Sequence, residues 1–319
     1  MNNHKQFIVS HAPFWHNGSS ITERNYHILL ATLPAVLFGI IQYGVNAFAV
    51  PSLAISTAML WELVMNKATK RPVTIGDGHA AVTGILFAMV LPATAPWWLV
   101  LIGTFVAIVI GKQIFGGIGS NAFNPVALAA AILMVSWPDY FDFDASLVNY
   151  DFGFIMVYPL TALKYFGPGA VEGFSVSGLL LGQQIGGIGT AFGLGLIVGG
   201  LYLILRGFIR WEIVVSFVVG VSVTALLFNI FDPSRFGSPA IHLLTGYTLI
   251  GAIFLATDDS SSPVNFIPML LYGATAGIMT VLIRNIGVYV DGVMYAILIA
   301  NMLNPLLDKI RPQAIGKVV

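Results

Sequence analysis

The residues of this chain singled out for chemistry are hydroxyls, carboxamides, carboxylates and glycine backbone N–H groups, and it contains no cysteine. It can therefore hold neither a disulfide nor a thiolate-ligated metal, and any electron carrier must be organic or bound by other ligands. Four stretches stand out. Thr161, within Tyr158-Pro159-Leu160-Thr161-Ala162-Leu163, offers one hydroxyl in a polar interval between two hydrophobic blocks; most loop threonines are simply solvated. Between Gly111 and Pro125, Gly116 and Gly117 let a backbone approach a ligand and present free N–H groups. A tight turn followed by a helix that Asn124 caps and Pro125 opens accounts for the same residues. Thr257-Asp258-Asp259-Ser260-Ser261-Ser262 carries acids and hydroxyls suited to a cation or to a cofactor N–H, although a solvated loop stopped by Pro263 fits equally. The fourth is Asp291-Gly292, with Asp308 further along beside Lys309 and Arg311. A carboxylate inside a membrane segment is a functional candidate by default. Glu62 is the better candidate for a buried acid, and the sequence suggests no partner for it.

A lipid bilayer must be the medium in which these groups are positioned. Of 319 residues, 57% are hydrophobic and 9% charged, with mean hydropathy +0.87. Soluble domains carry roughly 25% charged residues, so the composition predicts an all-α integral membrane protein. The zero net charge argues against nucleic acid as a partner. The first 26 residues are polar and lack an apolar core with a cleavage site, so no secretory signal peptide is expected. A crossing helix needs about 20 mostly apolar residues. Ten segments qualify, near 27–43, 47–66, 77–92, 96–114, 123–137, 188–206, 211–230, 240–257, 266–285 and 290–308. The third is short and opens at Asp77-Gly78-His79, as a broken or re-entrant helix would.

Charge sets the expected orientation. With the N-terminus inside, Lys5, Arg24, Lys67, Lys70, Arg71, Lys112, Arg206, Arg210, Lys309, Arg311 and Lys317 share the inner side. Only Lys164, Arg235 and Arg284 fall outside, a clear positive-inside bias. This predicts cytoplasmic termini and three regions: a first five-helix unit over 1–137, an extracytoplasmic loop over 138–187, and a second five-helix unit over 188–319. The halves echo each other, with His79 to Thr83-Gly84 answered by His242 to Thr245-Gly246 and Asn124-Pro125 by Asn304-Pro305. Two such halves of opposite orientation would form an inverted repeat, common in transporters and channels.

Taken together, these stretches resemble one family: the D subunit of the Rnf electron-transport complex and the B subunit of the sodium-pumping NADH:quinone reductase. Lys112-Gln113-Ile114-Phe115-Gly116-Gly117 through Phe123-Asn124-Pro125 is similar to its glycine-rich signature. His242 to Gly246 with Phe254 to Asp258, and Arg284 to Gly292 with Ala296 to Asn301, resemble two further family regions. The resemblance implies a subunit of the bacterial inner membrane with about ten helices in two inverted repeats, similar to urea-channel architecture. It also implies an FMN joined by a phosphoester to a threonine in the outside loop, at a site reading Ser-Gly-Ala-Thr.

Thr161-Ala162-Leu163 matches the downstream half of that site, whereas Tyr158-Pro159-Leu160 replaces the upstream half. A second register aligns Pro159-Leu160 with the family's Pro-Leu variant, which puts Tyr158 at the acceptor position and leaves no threonine to modify. By the resemblance, the cofactor-contacting candidates are Thr161, Gly116, Gly117, Asn124, Thr245 and Asp258, with no catalytic or metal-ligating residue. The implied partners are the other membrane and peripheral subunits of an ion-translocating (Na+ or H+) complex, a flavin transferase for maturation, and the bilayer. A midplane cavity of the repeat would suit a second, non-covalent flavin, a quinone or an ion. Two rival readings stay open on the sequence: a channel or carrier for a small solute with no redox role, and a purely structural assembly subunit.

Overall fold

The computed structural model describes residues 20–310, so Lys5, Arg311 and Lys317 lie outside the described residues. Among these residues every regular element is helical. Four helices are long and apolar enough to cross a membrane: α1 (Ile21–Tyr43), α2 (Val45–Ala68), α8 (Trp211–Phe231) and α11 (Phe266–Asn285). Five shorter apolar helices pack among them: α3 (His79–Val90), α4 (Trp97–Gln113), α5 (Pro125–Ser136), α7 (Gly193–Leu205) and α12 (Val293–Leu307). A short helix, α6 (Pro159–Phe166), lies between α5 and α7. Side chains such as Ile41, Val45, Ile230 and Phe231 point away from the protein and are largely exposed. An exposed apolar belt of this extent needs lipid to cover it. The chain is a multi-pass membrane protein.

Local rules explain where the long helices begin and end. The Ser20 side chain accepts from the Glu23 N–H at 3.0 Å and caps α1. Gly44, at φ 73°, is the single residue that separates α1 from α2. Helices then pack through glycine: a Cβ at Gly277 of α11 would strike the Phe217 carbonyl oxygen of α8, and one at Gly199 of α7 the Ala31 carbonyl of α1. Small residues let two backbones approach where no hydrophobic effect drives helices together.

Two expected crossings depart from a plain helix. The segment near 77–92 holds only the twelve-residue α3, about 18 Å long at 1.5 Å per residue. The segment expected at 240–257 is not one helix. It breaks at Thr245-Gly246 into α9 (Pro239–Leu244) and α10, which runs as Thr248–Ile250 and then as a π-helical stretch, Gly251–Leu255. The end of α4 is π-helical as well, over Val106–Gln113.

The glycine-rich run after Leu181 is not a surface loop. Residues 184–191 are buried, and the Ile188 and Gly189 N–H groups donate to Leu91 and Met89 carbonyls at 3.0 Å. The helix expected from residue 188 therefore starts only at Gly193. Irregular backbone at such depth persists where protein supplies its hydrogen bonds.

Basic residues tie several connections together. Arg24 pairs with Asp259 and donates to the Phe208 carbonyl, Arg71 donates to the Gly116 carbonyl, and Lys164 donates to the carbonyls of Arg284, Gly287 and Tyr289.

Candidate functional site

Thr161 sits in the first turn of α6, which Pro159 opens with its fixed φ and its missing N–H. The N-capping residue is Tyr158, and the polar start of the interval reaches back to hold it: Asp144 Oδ1 accepts from the Tyr158 N–H at 2.6 Å. Thr161 then faces a cavity of about 380 Å³, inside the roughly 300–1,000 Å³ range of small-molecule sites. Its walls are aromatic, with Phe143, Tyr158, Tyr165, Tyr247, Tyr289 and Tyr295 contributed by four separate parts of the chain. Tyr289 and Tyr295 stack at 4.3 Å, and Phe143 and Tyr158 lie 5.0 Å apart.

Polar groups punctuate this wall. The Tyr158 hydroxyl is buried without a hydrogen-bond partner. Burial, and then the negative charge of Asp291, hold that phenol well above its ordinary value, so it stays protonated. Burial also pushes the Asp144 carboxyl upward, against the opposing pull of the Tyr158 N–H and the Thr161 hydroxyl beside it. Asp291 is fixed from three directions: by Arg284 at 3.0 Å, by the Tyr247 N–H at 2.8 Å and by the Val293 N–H at 3.0 Å. A planar ring with an apolar edge and a polar edge fits this mixture of faces and free hydroxyls.

The other expected contact residues lie elsewhere. Asn124 caps α5 by accepting from the Ala127 N–H at 2.9 Å. It also donates to the Leu255 carbonyl and, through its backbone, to Asn301 Oδ1. Asp258 accepts from Asn121 at 3.1 Å and from the Ser261 hydroxyl at 2.8 Å. Asn124 and Asp258 share a small space of about 50 Å³ with His79 and Thr83. Gly116 and Gly117 belong to the turn after α4 with φ of 123° and 108°, and they line none of these spaces. The Thr245 hydroxyl is buried and donates to its own helix at the Ile241 carbonyl. Thus the structure brings Asn124 and Asp258 together and keeps both apart from Thr161.

Two ion pairs escaped the sequence reading. Glu62 is not partnerless: Lys112 donates to both of its oxygens at 3.0 and 3.1 Å, and Thr74 adds a third bond at 2.5 Å. Both charged side chains are almost completely buried. Arg284, itself buried, pairs with the partly buried Asp291 and also donates to the His242 carbonyl and Thr248. The available signal was a lone charge inside each apolar segment, which asks for a partner without naming it.

Fold and site define an all-helical membrane protein with an aromatic cavity beside a candidate acceptor hydroxyl. Comparison with known proteins gives the family. Residues 8–316 match the NQR2, RnfD, RnfE family, and the chain belongs to it. It is 35% identical, over 95% of this chain and 94% of the relative, to the D subunit of the proton-translocating ferredoxin:NAD(+) oxidoreductase complex of Clostridium ljungdahlii. It is 34% identical to the Na(+)-translocating counterpart of Acetobacterium woodii, over 98% and 96% of the two chains. The D subunit of the ion-translocating oxidoreductase complex of Pectobacterium atrosepticum is also 34% identical, over 97% and 99%.

Proposed function

We propose that this chain is a membrane subunit of an ion-translocating oxidoreductase complex and that an FMN beside Thr161 relays electrons through it. One observation carries the reading: the Thr161 hydroxyl and an unpartnered Tyr158 hydroxyl share the wall of an aromatic cavity large enough for a ring. The relatives' names supply the complex, and the bilayer and the other subunits are its surroundings. The finer architecture belongs to the same proposal: about ten crossings in two inverted repeats of urea-channel type, the loop expected over 138–187 outside the inner membrane as far as the buried run that begins at Gln184, and both termini cytoplasmic.

The bound flavin would supply one- and two-electron chemistry. The chain's own residues enclose and orient. Tyr289 and Tyr295 offer a stacked face, and protonated Tyr158 offers a donor to a ring heteroatom or carbonyl. Asp291, locked by Arg284, sets a fixed negative charge at one side of the cavity. Thr161 is the phosphoester acceptor on which a flavin transferase would act, and Asp144 holds the capping residue next to it.

Intact-mass measurement with in-gel ultraviolet fluorescence tests this on the wild type, Thr161→Ala and Tyr158→Phe. The expected result is a flavin-sized increment in the wild type and Tyr158→Phe that disappears in Thr161→Ala. An increment that survives Thr161→Ala removes that residue. Colourless protein that passes small solutes in liposomes overturns the redox reading in favour of a carrier.

A further inference from the structure

Beside α6 lies a second cavity of about 260 Å³. Tyr165 and Thr161 line the first cavity, whereas Leu160, Leu163 and Lys164 line this one, so α6 contributes to both walls, and Val290 is common to the two. Among the described residues no carboxylate lines the second cavity, while Lys164, Arg235 and Arg284 all do. Asp291 pairs with Arg284, which leaves Lys164 and Arg235 as the two further positive charges among the lining residues.

The charges and the free donors play different parts. Lys164 spends its N–H groups on three carbonyls, and most of Arg284 is committed to Asp291, His242 and Thr248. Their role is field. The donors left over are the exposed Arg235 guanidinium, the Asn285 amide nitrogen and the imidazole of His242. His242 is the informative one. The residue is 1% exposed and forms part of the cavity wall, and neither ring nitrogen has a partner. Buried polar atoms are nearly always satisfied, and one that is not asks for a missing partner. In either tautomer an imidazole still offers one N–H.

We propose that this cavity binds a phosphate anion. Phosphate matches converging donors in a positive field, and guanidinium suits its geometry better than any other side chain. Ile286, at the rim and 72% exposed, continues the cavity into apolar surface, as a lipid phosphodiester with its chains in the bilayer would require. A soluble phosphate would use the same donors.

The test uses the full chain in nanodiscs of phosphatidylglycerol or of phosphatidylcholine. In the second, inorganic phosphate is titrated against chloride at constant ionic strength. Thermal unfolding and native mass spectrometry are read for the wild type, Arg235→Gln and His242→Leu. Wild type should unfold later and retain phosphatidylglycerol over phosphatidylcholine if the source is lipid, or respond to inorganic phosphate if it is soluble. Arg235→Gln should weaken the response about tenfold, the order of one charge-assisted hydrogen bond. His242→Leu should fold, having lost no protein hydrogen bond of its ring, and should lose the response. Absence of any shift with both probes, or equal shifts in wild type and Arg235→Gln, overturns the proposal.

Discussion

Lys112 Nζ stands 3.0 Å from one oxygen of Glu62 and 3.1 Å from the other, across fifty residues of sequence and with both side chains inside the protein. Such a pair is held less by its own attraction than by the cost of leaving either member alone, because desolvation nearly cancels the Coulomb gain. The Thr74 hydroxyl, itself held by Asn66 at 2.9 Å, shares the carboxylate and fixes its orientation.

Removing one partner should therefore cost much more than removing both. Glu62→Leu or Lys112→Met alone is expected to destabilise the protein by about 3–5 kcal/mol, the usual result of stranding a buried charge. The Glu62→Leu/Lys112→Met double variant should recover most of that loss. Denaturation of the purified variants in one detergent measures the difference. Additive losses in the double variant would show that the two side chains are not energetically coupled.

The Asp144 carboxyl gives a pH signature. Burial raises it above the ordinary 3.8, so the folded protein holds its proton more tightly than the unfolded chain does. Stability from this group is then fully present below the ordinary value and falls as pH rises through the raised one. Asp144→Asn keeps an oxygen for the Tyr158 N–H and cannot titrate. The difference between wild-type and Asp144→Asn stability should decline from about pH 4 upward, measured by thermal unfolding across pH at constant salt. A difference that grows with pH would mean that the carboxylate is stabilised rather than strained by its surroundings.

Packing of α8 on α11 depends on backbone proximity. At Gly277 any side chain meets the Phe217 carbonyl, and at Gly220 the Ala274 carbonyl. Neither obstacle is a flexible side-chain end that could swing aside. Gly277→Val should lower stability by at least the roughly 1–3 kcal/mol of ordinary overpacking. Ile278→Val, at a neighbouring position that is 39% exposed, should change little. Equal behaviour of the two variants would show that the helices do not approach as closely as the structure has them.

Much of the scaffold could be read along the chain. The scarcity of charge demanded a bilayer, and long apolar runs with polar ends marked α8 and α11 within a residue of where they lie. Asn124-Pro125 announced a capped helix start, and that is what it forms. The glycine-rich signature led to the family, although its Gly116 and Gly117 line none of the three cavities described.

Other features had no local signal. Hydropathy runs unbroken through Thr245-Gly246, so nothing in composition separates α9 from α10. At the break the Thr245 carbonyl accepts from the Thr248 hydroxyl and from the guanidinium of Arg284, 39 residues away. The same logic applies to Lys112 as the partner of Glu62, to the burial of residues 184–191 against α3, and to tyrosines scattered from 158 to 295 closing one cavity. Amino-acid types fix which medium a segment tolerates and where a helix can start, because those are interactions with solvent and with near neighbours. Which distant groups finally meet depends on how whole helices pack, and only the assembled bundle sets that.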